Sequence, residues 1–253
     1  LYFDDKEVEP SLGGVFGAQV GPGRLLVGLN FQGRHNPKKK FSLRYGSSPE
    51  NDPNFDPSDP DNREDQSDIR DGKDYSANIS YEIKGDTTDL TLSAFYVHTD
   101  RTESERSFEY DDPTAINGSV RNPVDPGNLL TDNANVNNIK QDSYSILGKL
   151  SHQWSLGKTS IKAAYASFDD FQDETEYEID FDRATPRFTG DAILFDVEDT
   201  ELSAGIDHEF ALSDDINFVV GGFYQDKDRR TLAGEDRNRF NLNTSVHNWN
   251  QFV

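Results

Sequence analysis

In a chain of 253 residues only 33% are apolar, and acidic residues outnumber basic ones 47 to 25, giving a formal net charge of −22. That charge repels phosphate backbones and argues against nucleic-acid binding. Cysteine is absent, which excludes disulfide scaffolds, thiolate metal centres and cysteine nucleophiles. No window approaches the ~18 consecutive apolar residues of a transmembrane helix. Aromatic residues make up 11% of the chain, too many for simple disorder, because they drive burial.

The start, Leu1-Tyr2-Phe3-Asp4-Asp5, has neither an initiator Met nor a charged n-region before an apolar run, so the chain reads as a processed or excised piece. Residues 15–20 and 25–31 flank Gly21-Pro22-Gly23 as a first, less regular hairpin. The only basic run, Lys38-Lys39-Lys40, reads as a solvated strand edge. In the second hairpin Tyr75, Ala77, Ile79, Tyr81 and Ile83 alternate with Ser76, Asn78, Ser80 and Glu82; the turn is Lys84-Gly85-Asp86-Thr87-Thr88, and Leu90, Leu92, Ala94 and Tyr96 return. The third sets Tyr144, Ile146, Gly148, Leu150, His152 and Trp154 against Ser143, Ser145, Lys149, Ser151 and Gln153, with Leu147 as the exception, and turns at Ser155-Leu156-Gly157-Lys158. The fourth carries Leu202, Ala204, Ile206, His208 and Phe210 to a turn at Ser213-Asp214-Asp215, then returns through Ile216, Phe218, Val220 and Tyr224.

Between the hairpins, 46–73, 111–141 and 180–198 read as long polar loops, flanked by polar strand extensions at 99–110 and 169–181. Tight turns at one end, long loops at the other and about ten half-apolar residues per strand are the signature of an antiparallel up-and-down transmembrane β-barrel. Tyr81, Tyr96, Trp154, Tyr165, Phe210 and Tyr224 are the expected aromatic girdle, and the turns are expected to face the periplasm. A soluble β-sandwich with an aromatic core remains an alternative for the same alternation.

The strand texture and loop rhythm from about Gly13 to Arg230 resemble the TonB-dependent receptor family of outer-membrane transporters. The resemblance is carried by Asn36-Pro37-Lys38-Lys39-Lys40-Phe41-Ser42-Leu43-Arg44-Tyr45, by Leu92-Ser93-Ala94-Phe95-Tyr96-Val97-His98-Thr99-Asp100-Arg101, and by 201–224 with its turn. It implies a Gram-negative outer-membrane location, contact with outer-membrane lipid, and a barrel of about 22 strands with a plugged lumen. It further implies uptake of a scarce extracellular small molecule such as an iron chelate, driven by the TonB energy-coupling complex through the plug. About eight strands in four hairpins are read here, with 243–253 opening a ninth, so the chain corresponds to an internal portion of such a barrel. The plug, the coupling box and a terminal aromatic residue are not visible in it.

The loops 46–73, 111–141 and 231–241 are expected to meet a ligand first, with Arg101, Arg106, Arg229 and Arg230 as candidates for an anionic one. Asp56, Asp59, Asp61 and Asp65 in the acidic loop are the candidate cation ligands, although the spacing lacks the glycine and closing glutamate of an EF-hand. Five scattered histidines do not suggest a metal site. No nucleophile elbow, phosphate loop or dinucleotide fingerprint is present, so neither an enzyme nor a cofactor is expected. The alternatives are a soluble or cell-surface β-rich binding module, such as a calcium-stabilised adhesin, and a passive small porin.

Overall fold

A computed structural model of the chain describes residues 7–46, 50–54, 56, 60–111, 128–213 and 216–241. These form nine strands: β1 (Ser11–Val20), β2 (Gly23–His35), β3 (Lys38–Arg44), β4 (Asn62–Lys84), β5 (Thr88–Asp111), β6 (Asn128–Trp154), β7 (Gly157–Asp180), β8 (Arg187–Ser213) and β9 (Ile216–Asn241). All pairings are antiparallel, in the order β1-β2-β4-β5-β6-β7-β8-β9, with β3 also on β4. The expected all-β up-and-down meander is therefore present. The sheet is open, with β1 and β9 at its two edges and not paired with each other.

Local chemistry explains the connections. Gly21 has φ of 57° and Pro22 is held by its ring at negative φ, the type II′ pattern that suits the twist of a two-residue hairpin. Gly157, with φ of 145°, closes the β6–β7 turn opposite Trp154. The Asn36-Pro37 step separates β2 from β3, because proline offers no N–H to the ladder. The Asn36 N–H still donates to the Arg70 carbonyl at 3.1 Å, so both strands lie along β4. Lys38, Lys39 and Lys40 are exposed on β3, as expected of a solvated edge.

The polar segments differ from expectation. Much of 46–73, 111–141 and 180–198 is strand, since β4 starts at Asn62, β6 at Asn128 and β8 at Arg187; 231–241 likewise lies in β9. Alternation of apolar residues marks a strand only where one face meets an apolar medium. These extensions are mostly polar on both faces, with scattered apolar residues such as Ile139, Ile193 and Phe195, and their ladders are held by backbone pairing with cross-strand polar contacts. At 23–27 residues, the strands from β4 to β9 are far longer than the mode of about 5–6 in globular proteins. The last residues, 242–253, and the turn pair Asp214-Asp215 lie outside the described residues.

Among the described residues no second layer covers the sheet. Among the described residues the buried apolar side chains are Ala134, Ile139, Ile179 and Val197, all in the polar extensions.

Candidate functional site

Residues directly opposite in an antiparallel ladder share a face, so the register assigns every side chain to one of two surfaces. Near the short turns one face is apolar: Phe16, Val27, Leu29, Ile79, Tyr81, Leu90, Leu92, Ala94, Ile146, Leu150, Ile161, Tyr165, Leu202, Ile206 and Val220 lie on it. The opposite face of the same stretch is predominantly polar, with Asn78, Ser80, Thr91, Ser93, Ser145, Lys149, Ser151, Ser160, Lys162 and Ser203, although Leu26, Phe95, Leu147, Val219 and Phe223 also lie on it. Burial is inverted relative to a water-soluble fold. Ile146 is 58% and Ile206 52% exposed, whereas Asp68 in a polar extension is only 4% exposed. An uncovered apolar surface spanning eight strands exceeds the patches that soluble monomers expose.

Aromatic rows bound this belt on both sides. Away from the turns lie Phe31, Tyr75, Tyr96, Tyr144, Tyr165 and Tyr224, each the last aromatic before its strand turns polar on this face. Phe31 and Tyr75 have ring centroids 5.1 Å apart, and Tyr144 and Tyr165 5.9 Å. The row steps against the register, since Tyr96 faces Tyr144 but Tyr144 faces Ser167, and Leu202 faces Asp226 rather than Tyr224. A level line that crosses the ladder obliquely is what tilted barrel strands produce. Toward the turns lie Tyr81, His152, Trp154, His208, Phe210 and Phe218. Tyr81 donates to the Val20 carbonyl at 2.9 Å, and Trp154 donates from Nε1 to the Thr159 hydroxyl at 2.9 Å. His152 and Trp154 meet edge-to-face at 4.2 Å, as do His208 and Phe210. From Tyr144 to Trp154 is ten residues, roughly 33 Å of strand and about 25 Å of height at a tilt of about 40°.

All six aromatic residues singled out from the sequence lie on the apolar face: Tyr81, Trp154 and Phe210 at the turn side, Tyr96, Tyr165 and Tyr224 at the far side. Phe31, Tyr75, Tyr144 and the paired histidines were missed as margin residues. Alternation already put Tyr75, Tyr144, His152 and His208 on that face; what was missing was the level line, which requires the register.

The four arginines do not converge. Arg101 and Arg229 are on the polar face but on β5 and β9, while Arg106 and Arg230 are on the other face. Each has a carboxylate partner. Arg101 pairs with Glu103 at 3.0 Å, Arg106 with Asp132 at 2.8 Å, Arg229 with Asp199 at 2.6 Å and Arg230 with Asp228 at 3.5 Å. Burial works to raise the Asp199 carboxyl, but the hydrogen bond and charge of Arg229, with Lys227 adding to them, hold it below the ordinary range. The acidic residues are dispersed too. Asp65 is bound to Arg63 at 2.6 Å, Asp61 accepts from the Gly46 N–H, Asp56 is exposed, and Asp59 lies outside the described residues. Among the described residues no group of three or more His, Asp and Glu side chains could hold a metal.

Beyond the far margin the polar face carries an amide and carboxylate comb. Asn133 donates to Glu176 at 2.8 Å, Asn135 to Glu174, and Gln141 to Asp170 at 3.2 Å. A cavity of about 250 Å³ beside it is lined by Glu176, Glu178, Arg187, Thr189, Asp191 and Arg237. Donors and acceptors there suit a hydrated polar solute. Comparison of the chain with models of protein families, with curated proteins and with solved structures finds no match.

Proposed function

We propose that this chain forms part of the wall of a Gram-negative outer-membrane β-barrel, in a receptor of the TonB-dependent kind that takes up a scarce nutrient such as an iron chelate. The inverted burial carries the reading: an exposed apolar belt on one face, bordered by aromatic residues above and below and backed by a polar face, is the surface of a strand wall between lipid and water. Lipid supplies the cover that no second layer of protein provides. The transport half of the reading draws on the extensions, which carry a polar lining and a cavity well beyond the far margin, where an extracellular solute would first be held. Closure of the barrel and coupling to energy fall to other strands and to a plug.

Detergent dependence tests the proposal. The chain is expected to gain β-rich dichroism and a single species only in detergent or lipid. A monomeric, β-rich species in plain buffer would sink the membrane reading and favour the soluble binding module.

A further inference from the structure

At the turn-side margin the register brings Thr88, His152, Thr159 and His208 into one row across β5, β6, β7 and β8, all on the apolar face. The row repeats a unit. Thr88 Oγ1 lies 2.7 Å from His152 Nδ1, and Thr159 Oγ1 lies 2.7 Å from His208 Nδ1. Each imidazole stands edge-to-face on the aromatic residue two positions later, Trp154 or Phe210, at 4.2 Å. The Thr159 hydroxyl accepts from Trp154 Nε1, and in the arrangement that uses each group once it donates its own proton to His208 Nδ1. A neutral ring accepting at Nδ1 carries its proton on Nε2. Nε2 of neither ring has a hydrogen-bond partner among the described residues, and neither is a buried atom lacking one. Two half-buried imidazoles, each held at Nδ1 and without a partner at Nε2 among the described residues, therefore stand where the belt ends.

Depth separates the two. The far margin falls one step between Tyr144 on β6 and Leu202 on β8, because Tyr144 stands in the row of Thr200. The level line through His152 therefore passes through Phe210, and His208 sits one step, about 5 Å, deeper. A headgroup phosphate likewise lies nearer the water than the ester carbonyls below it, and β7 between the two strands sets the rings roughly 10 Å apart across the sheet.

We propose that this row binds a phospholipid of the turn-side leaflet, with His152 Nε2 directed at the headgroup phosphate and His208 Nε2 at an acyl ester carbonyl. The proposal rests on the membrane reading above and adds a lipid class and two specific contacts. A lipid without phosphate loses the first contact, and an ether-linked lipid loses the second.

The test is native mass spectrometry of the full chain released from detergent with one of three probes of equal chain length: a diacyl phosphatidylglycerol, a diacyl galactolipid, or a dialkyl ether phosphatidylglycerol. Wild-type protein is expected to retain the diacyl phosphatidylglycerol several-fold better than either other probe. His152→Phe should abolish the preference over the galactolipid while leaving the ester preference, and His208→Phe should do the reverse. His98→Phe, on the same face at the far margin, should change neither. If a phenylalanine variant does not fold, Thr88→Val and Thr159→Val, which release the rings without removing them, are expected to weaken the respective preferences. Equal retention of the three lipids by wild-type protein, or unchanged preferences in the variants, overturns the proposal while leaving the membrane reading intact. Retention of inorganic phosphate alone at the same concentration would reassign the row to a free anion. A chain that folds in buffer and takes up no lipid would fail the membrane reading itself.

Discussion

Asp142 and Asp169 face each other across the β6–β7 ladder, yet their carboxyls are driven in opposite directions. Asp142 is held below the ordinary range chiefly by the Tyr96 hydroxyl, which donates to it at 2.6 Å, with His98 assisting at 2.9 Å. Asp169 has no such donor; burial pushes it up, and the charges of Glu198, Asp142 and Asp196 push it further. Both residues lie just beyond the far aromatic margin. The ionised Asp169 is the poorly matched member of the pair, so Asp169→Asn should stabilise the β6–β8 extensions by about 0.2–1 kcal/mol, the range for relieving like charges directly opposite in a sheet. Slower amide exchange in the β7 extension at neutral pH would show it.

The same two groups set a pH dependence with two opposed parts. Asp169 has a raised folded-state value, so its contribution is present at low pH and is lost as pH rises through that value. Acidification from about pH 7 toward that raised value should therefore strengthen this part of the sheet. Asp142 has a lowered value, so its contribution is present above the ordinary carboxylate value and is lost only as pH falls through the lowered one. Exchange protection around 142 and 169 should thus pass through a maximum in mild acid. Tyr96→Phe removes the main support of Asp142 and brings its folded value back toward the ordinary one, so the decline on the acid side should become shallower. A monotonic profile in both proteins would contradict this assignment.

Gly157 is the turn residue least open to substitution. Its φ of 145° suits glycine alone, and a Cβ there would run into the carbonyl oxygen of Glu209 on β8. Gly157→Ala should cost at least about 1–3 kcal/mol for the backbone conformation, with displacement of the β7–β8 start adding to it. By contrast, Gly222 has open space around its Cβ position, and Gly222→Ala should be close to neutral. Thermal unfolding in detergent, followed by loss of heat-modifiable gel migration, compares the two.

What could be read from the sequence follows from where a strand has one apolar and one polar face. Tyr75 to Ile83 and, with Leu147 as the exception, Tyr144 to Trp154 alternate between an apolar and a polar face, so strand and face were both legible there. Residues such as Asn133, Asn135 and Asn137 opposite Glu178, Glu176 and Glu174 carry no such signal. Polar on both sides, they resemble loop until pairing is known. The arginine group failed for a related reason: Arg229 and Arg230 are adjacent in sequence, so they necessarily point to opposite faces of β9. The histidine row was hidden because His152 and His208 are 56 positions apart and are brought together only by the register of β7 between them.

Charge placed on the two faces should separate a lipid-facing wall from a water-soluble sheet. Ile206 is midway between Leu202 and Phe210 on β8, on the apolar face, and is 52% exposed. Ser203 lies on the polar face, opposite Ala164 and Gln225. If water covered both faces, replacing an exposed isoleucine by arginine would change stability by no more than about 0.5 kcal/mol. If lipid covers the belt, Ile206→Arg buries a charge near the bilayer midplane at a cost of about 2–4 kcal/mol, whereas Ser203→Arg remains in a polar environment and costs little. Denaturant titrations of the two variants in lipid vesicles are expected to show the large loss for Ile206→Arg only. Equal, small effects would mean that the belt does not face hydrocarbon. A large loss for Ser203→Arg alone would mean that the faces are reversed, with lipid on the Ser203 side of the register.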